Sequence, residues 1–361
     1  MQITEIKIGE LPDFIKSEQF KLFNPKPITR LRAISQFNNP DAKAGDTALI
    51  IAHENSNVVG FAGFLPRNAN GSGLHVCSNS CWWADPEKGK GVALSLLFSG
   101  LKKYNSGMFL TDATPYSKAI LEKTGYFEFY KPQKGVRGVL RFYFADLVTK
   151  KYKKLKSIKI VFVLIDLFLN FLLWPVRYFY IKKYGRNKLE FEPVTEISAE
   201  TERFINAHSK NDFIGNTSAT LRWIKKYPWV TEQNNETPCN YPFSHVVNRY
   251  ELDYFELKEA GKLKAFVAFS VRDNLMKIPF IYFDEKDSGK VMHSVFWFIL
   301  KKRYDSLLVF HPATVSFLNK NRLPFIYKKR VDKQVGITTV LKEKFDEKPI
   351  LQDGDGDVIF T

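Results

Sequence analysis

Cysteine is scarce in this 361-residue chain, which has only Cys77, Cys81 and Cys239. Three thiols exclude a disulfide framework. Cys77 and Cys81 lie four apart on an expected strand, facing one side at roughly 13 Å, too far to share a tetrahedral metal. This usage fits a reducing, cytoplasmic compartment. Long apolar runs are also missing. The longest, Ile160 to Val176, covers 17 residues with Asp166 inside it, short of the roughly 20 that a membrane-spanning helix needs. Met1 to Lys16 mixes acids with apolar residues and has no secretory hydrophobic stretch. Acids are few as well: 38 Asp and Glu against 54 Lys and Arg leave a net charge of +16. The shortage is local, because Leu147 to Leu189 holds 11 Lys or Arg and one acid, Asp166. Basic charge confined to the flanks of an apolar run favours a membrane surface or acidic lipid over nucleic acid.

Hydrophobic residues make up 45% of the chain and charged residues 25%, an ordinary globular balance. The length exceeds one usual core, so two domains are expected. Leu11–Phe23 and Ile28–Gln36 read as helices. Thr47–His53 and Val58–Phe64 are β-branched runs separated by Glu54-Asn55-Ser56-Asn57, a hairpin pattern. Leu74–Trp83 reads as a third strand. A glycine-rich turn and a helix ending near Tyr104 follow it, with Leu94, Leu97, Phe98 and Leu101 at helical spacing. Met108–Thr111 as a strand, Tyr116–Lys123 as a helix, and Phe127–Tyr130 and Val136–Phe144 as closing strands complete an α+β domain. The expected boundaries are 1–146 for this domain, 147–190 for a basic apolar linker helix, and 191–361 for a second domain.

In the linker, Lys159, Asp166, Asn170 and Arg177 form a polar stripe along one side of a helix, which Pro175 strains or ends. Such a helix can lie in a membrane interface with Lys151, Lys153, Lys154 and Lys156 on headgroups, giving peripheral contact through 151–183. It can also pack as a linker between domains, or span a bilayer. The last part of the chain repeats the order of the first. A hairpin from Tyr254–Leu257 through Glu259-Ala260-Gly261-Lys262 to Leu263–Val271 precedes a helix, a strand at Leu307–Phe310 and a short helix at Thr314–Lys320. A shift of 199 residues superposes Val92, Leu101, Lys102 and Lys103 on Val291, Leu300, Lys301 and Lys302, the pattern of a diverged internal duplication. Asp353-Gly354-Asp355-Gly356-Asp357 starts like a calcium loop but lacks the later Glu. It reads instead as a turn before a short strand, Val358–Phe360, and no metal is expected.

The stretch from Trp82 to Leu94 carries the chemistry. Here a strand ends, glycines follow, and a helix begins, so backbone N–H groups and the positive helix end converge where an anion can sit. Lys88 and Lys90 add mobile charge suited to a pyrophosphate. It is neither a Walker loop nor the dinucleotide fingerprint. The stretch resembles the pyrophosphate loop of the GCN5-related N-acetyltransferase (GNAT) superfamily, Gln/Arg-x-x-Gly-x-Gly/Ala, here Lys88, Gly91 and Ala93. Ile50–Phe64 resembles that family's central hairpin. Thr111–Tyr126 resembles its later strand and helix, ending Glu-Lys-x-Gly-aromatic.

The resemblance implies two GNAT-like domains, each a central, mostly antiparallel, splayed sheet flanked by helices. It implies acetyl-CoA as co-substrate, held by Trp83, Lys88, Gly89, Lys90, Gly91, Val92 and Ala93. A backbone N–H within Ser80–Trp83 would hold the thioester carbonyl, and a small-molecule amine, amino sugar or nucleotide sugar of surface polysaccharide would be the acceptor. The tyrosine that protonates the leaving thiolate in many members is Leu121 here, leaving Tyr116, Asp112 and His75 as candidate catalytic groups. In the repeat, Asp287, Ser288 and Lys290 replace Lys88, Gly89 and Gly91, implying a degenerate second copy without a donor site. That copy could shape the acceptor groove with His311 or the Trp223, Tyr227, Trp229 and Tyr241 region. The alternative is a non-catalytic protein that binds acyl-CoA or glycan.

Overall fold

The computed structural model describes residues 1–70, 73–105, 107–232, 239–321, 324–345 and 350–360. The first half runs β1 (Gln2–Lys7), α1 (Leu11–Phe14), α2 (Glu18–Leu22), α3 (Arg30–Phe37), β2 (Thr47–Glu54), β3 (Asn57–Asn68), β4 (His75–Ala84), α4 (Val92–Lys103), β5 (Met108–Thr111), α5 (Pro115–Lys123), β6 (Phe127–Phe129) and β7 (Gln133–Val139). Next come α6 (Phe144–Lys151), α7 (Lys159–Leu172), α8 (Trp174–Gly185), β8 (Glu190–Pro193), α9 (Ala199–His208), α10 (Ser218–Lys226), β9 (Thr231–Glu232) and β10 (Val246–Val247). The second half runs β11 (Tyr250–Glu259), β12 (Lys262–Arg272), β13 (Leu275–Lys277), β14 (Ile281–Phe283), α11 (Ser288–Lys302), β15 (Ser306–Val309), α12 (Pro312–Lys320), β16 (Tyr327–Lys333), β17 (Val335–Thr338) and α13 (Thr339–Lys342).

Two compact units result. The first comprises residues 1–133, 195–252 and 333–361, the second 134–194 and 253–332. They do not coincide with the contiguous blocks expected at 1–146, 147–190 and 191–361, for two physical reasons. The first is an exchange of equivalent strands. In the first unit the sheet order is β1-β2-β3-β4-β5-β17-β6, so the last strand of the second half lies between β5 and β6. In the second unit the order is β16-β7-β15-β13-β12-β11-β8, so the last strand of the first half lies between β15 and β16. Val136–Phe144 therefore does not close the first sheet as expected: Val136 to Val139 pairs antiparallel with Val309 to Ser306, and Phe144 begins α6.

Glycines admit these exchanged strands by leaving room for host aromatic rings. A Cβ on Gly138 would lie 2.2 Å from the Phe325 ring, and one on Gly336 would lie 2.7 Å from Phe129. Neither position has space for a side chain without displacing a ring.

The second reason is amphipathicity in 195–252. Helix α10 buries Leu221, Trp223 and Ile224, and the Trp223 indole donates to the Ser35 carbonyl at 2.7 Å. Phe213 and Ile214 pack with Val76, Phe109, Val335 and Ile337 in one apolar cluster. These residues belong to the core of the first unit, so burial rather than chain order sets the boundary. The first predicted helix also divides: Ser17 caps a new helix by accepting the Phe20 N–H, which separates α1 from α2.

Candidate functional site

Strand β4 carries an irregularity where it meets β3. Gly63 pairs with Cys81 and Phe64 with Asn79, leaving Ser80 as an extra residue. Such a bulge bends its strand. On its other edge, β4 runs parallel to β5 but pairs only at Cys77 with Met108 and Ser78 with Phe109. The opposite edge of β5 stays paired with β17 through Phe109–Ile337, Leu110–Gly336 and Thr111–Val335, while β4 and β5 have no further pairs among the described residues. The sheet therefore forks between β4 and β5 just before the glycine-rich turn.

At the end of β4, the Trp82 indole donates to the Ala93 carbonyl at 2.7 Å, fastening strand to helix, and Trp83 stacks on Phe61. The Asp85 side chain accepts the Glu87 and Lys88 N–H groups at 2.9 Å each, which holds its carboxyl below the usual range. The Asp85 carbonyl accepts the Gly89 N–H at 2.8 Å. A Cβ on Gly89 would sit 2.6 Å from the Ala84 Cβ and from the Asp85 carbonyl oxygen, and Gly91 has φ +81°. Only glycine fits both places without strain. The Val92 N–H donates to Gly89. The N–H groups of Lys90, Gly91, Ala93 and Leu94 have no acceptor among the described residues, while the Lys88 and Lys90 side chains are exposed. A turn of free donors at the positive end of a 12-residue helix is a fitting cradle for a pyrophosphate.

The three candidate catalytic side chains are not brought together there. His75 opens β4, at the far end from the turn, with Nε2 2.8 Å from Asp46 and Nδ1 3.2 Å from Asn68. Asp112 follows β5 at φ +60° and is exposed. Tyr116, in the first turn of α5, is 77% exposed. Leu121 is fully buried in the core between α4 and the sheet. Burial pushes the Cys77 and Cys81 thiols up, which leaves them apolar packing groups rather than nucleophiles. Among the described residues no group of three or more His, Cys, Asp or Glu side chains is arranged to hold a metal.

Sequence reasoning missed what lies beside the fork. The terminal segment is neither a solvent turn nor a strand: residues 351–356 are buried and Val358–Phe360 forms a 3-10 turn. A Cβ on Gly356 would lie 2.9 Å from the Thr111 hydroxyl and 3.2 Å from the Ser78 hydroxyl, so the segment passes where β4 and β5 part. Both hydroxyls are buried and have no hydrogen-bond partner among the described residues. Asp353 pairs with Lys333 at 2.9 Å, both almost wholly buried. Asp355 accepts the Gln352 N–H at 2.9 Å and the Asn216 amide at 3.4 Å. Its burial outweighs nearby Arg67 and pushes its carboxyl up to about 6.

Asp357 interacts electrostatically with Arg32, beside the Cys81 thiol and the Tyr241 hydroxyl. Arg32 donates to the Ser80 carbonyl at the bulge (2.6 Å) and to the Tyr241 hydroxyl (2.7 Å), and lies 4.1 Å from the Trp229 ring centroid. Burial disfavours its charge, but Tyr241, Cys81 and Asp357 more than compensate and raise the guanidinium above its ordinary value. Phe360 anchors the tail by stacking on Trp229 at 4.6 Å. The three alternating acids were visible in the sequence. Their buried partners, scattered from Arg32 to Lys333, were not.

In the second unit the matching turn is built differently. Asp284 accepts the Lys286 N–H, and Asp287, at the cap of α11, pairs with Lys264 at 3.0 Å. Acids thus occupy the positive helix end. His311 is partly buried and pushed down to about 4, with its ring against Phe283.

No protein-family model matches the chain, and no curated protein is detectably similar in sequence. Solved structures do match. One is a GCN5-related N-acetyltransferase from Kribbella flavida, at TM-score 0.50 and 10% identity, covering 92% of this chain and 71% of that one. Another is a conserved protein of unknown function from Enterococcus faecalis V583, described as a probable N-acyltransferase. It matches at TM-score 0.50 and 10% identity, covering 94% of this chain and 73% of that one. The chain has the GNAT-like α+β fold with splayed sheets flanked by helices. At such identities the likeness is one of fold.

Proposed function

We propose that this protein is an acyltransferase that moves the acetyl group of acetyl-CoA to an amine, with its donor site in the first unit. The observation that carries this reading is the row of unpartnered N–H groups at Lys90, Gly91, Ala93 and Leu94, set at the end of a strand that parts from its neighbour. These groups and the Lys88 and Lys90 side chains would hold the pyrophosphate, and Trp83, stacked on Phe61 at the end of the strand, would border the approach. The fork would admit the pantetheine arm. A backbone N–H at the Ser80 bulge or just beyond it would stabilise the oxyanion that develops on the thioester carbonyl. The amine nitrogen would form a bond to the carbonyl carbon, the carbon–sulfur bond would break, and the nitrogen's proton would leave to a base or water while the thiolate gains one.

Asp353, Asp355 and Asp357 bring carboxylates beside the fork, alongside Lys333, Arg67 and Arg32. Asp357 is the tail carboxylate within the Arg32–Tyr241 cluster, and an amino sugar or nucleotide sugar of surface polysaccharide is the acceptor class we favour. Calorimetry with acetyl-CoA, followed by thiol release over an amino-sugar and polyamine panel, tests both halves of the reading. Binding that Gly91→Glu abolishes, together with thiol release whose amine KM rises in Asp357→Asn, is the expected result. No binding at millimolar acetyl-CoA would sink the proposal. A second reading, acyl-CoA binding without turnover, is favoured by buried Leu121 and exposed Tyr116. Binding without thiol release on any amine would select it.

A further inference from the structure

Helices α7 and α8, within the second unit, are inverted relative to an ordinary surface helix. Their polar stripe faces inward. Asp166 is buried and accepts the N–H groups of Phe144 (2.8 Å) and Ala145 (2.9 Å), capping α6. The Asn170 side chain exchanges hydrogen bonds with the Phe142 backbone at 3.1 and 2.8 Å, and buried Arg177 donates to the Leu140 carbonyl. The apolar side therefore faces out. Ile160 is 64% exposed, Leu167 60%, Phe168 62% and Phe171 72%, and Trp174 and Phe179 continue the surface onto α8. Scattered exposed apolar residues are normal on a protein surface; a continuous face of this kind is not.

We propose that this face docks on an anionic lipid bilayer, lying in the interface without crossing it. Charge chooses the occupant. Lys150, Lys151, Lys153, Lys154, Lys156 and Lys159 stand at one end of the apolar face, and Lys182, Lys183, Arg186 and Lys188 stand at the other. Among the described residues, only Lys150 and Lys159 of these have a carboxylate partner. Basic ends around exposed Ile, Leu, Phe and Trp match lipid headgroups above acyl chains. Two copies of so basic a face would repel each other at both ends.

Geometry sets the depth. Helix α7 has 14 residues, about 21 Å at 1.5 Å per residue, against a hydrocarbon core of about 30 Å. No single helix among the described residues is long and apolar enough to cross, and the segments Lys153–Leu172 and Trp174–Gly185 are bent by 51°. Pro175, in the first turn of α8, suits a helix start, and the break falls just before it. The inward stripe is already hydrogen-bonded to protein, which leaves the outer face free to enter lipid without stranding polar groups.

Cosedimentation of the full chain with vesicles of phosphatidylcholine, with or without phosphatidylglycerol, tests the proposal independently of any acetyl transfer. Binding to the anionic vesicles, weakened by salt, is expected. Replacing Phe168 and Phe171 together by Glu should weaken it by roughly tenfold or more, about 1.4 kcal/mol or above, with the melting temperature unchanged because both rings are exposed. Lys153→Gln with Lys154→Gln and Lys156→Gln should lower binding only where phosphatidylglycerol is present. Quenching of Trp174 by brominated lipid, lost in Trp174→Phe, would place the face in the acyl region. Absence of vesicle binding would overturn the proposal. So would a stable dimer that the Phe168→Glu, Phe171→Glu variant splits, because the face would then be covered by a second copy.

Discussion

At the turn that leads into the long helix of each half, the two units use opposite chemistry on one plan. The first presents free N–H groups, two glycines and exposed lysines at Lys88–Ala93. The second presents Asp284, Glu285 and Asp287, with Asp287 already committed to Lys264. Both turns join a strand to a helix of similar length, so the helix dipole is common to both. What differs is whether its positive end is left open or answered internally by acids. Two units of one plan can thus keep their architecture while their helix starts differ in charge, because these few residues are not ones the core needs.

Breaking the plan at its exchanged strands should have the largest effect. Residues 1–146 alone would lack β17, leaving β5 and β6 without their shared neighbour. That fragment is expected to be unfolded or aggregated by circular dichroism, and addition of residues 147–361 should restore cooperative structure. A smaller loss is expected where the exchanged strands meet host aromatics. Gly138→Val and Gly336→Val each force a ring aside and should each cost about 1–3 kcal/mol in urea titrations. By contrast Gly289→Ala, with open space at its Cβ, should change little.

The units also differ in their response to pH. Asp355 in the first is pushed up from 3.8 to about 6, so its contribution to stability is greatest below pH 4 and is lost as pH rises through 6. Asp355→Asn should therefore stabilise the protein above pH 6 by an amount of order 3 kcal/mol, and the gain should vanish near pH 4. His311 in the second unit is pushed down from 6.5 to about 4, so its contribution is present above 6.5 and is lost as pH falls through 4. His311→Gln should flatten the acid limb, the opposite signature. Urea titrations from pH 4 to pH 8 read both slopes.

Local pattern made part of this fold legible. Met108–Thr111 was readable from its apolar run, the 47–64 hairpin from its turn, and the likeness of the two halves from the repeated order of hairpin, helix, strand and short helix. The glycine-rich turn and the helix start after it were readable because their residues are contiguous. The rest depends on distant partners. Nothing in Val136–Val139 says which sheet accepts it, since both offer the same apolar edge. Asp353–Asp357 looks like a solvated turn until Lys333, Asn216 and Arg32 converge on it from far along the chain. Likewise the stripe at Asp166, Asn170 and Arg177 was visible, but its inward direction follows only from α6 and the backbone near Leu140 and Phe142.

The central claim, one donor site and only in the first unit, is tested most directly by hydrogen–deuterium exchange with and without coenzyme A. The account predicts slowed exchange at the amides of residues 89–94, with no change at 285–292. Equal protection of both turns, or protection of neither at saturating ligand, would contradict it.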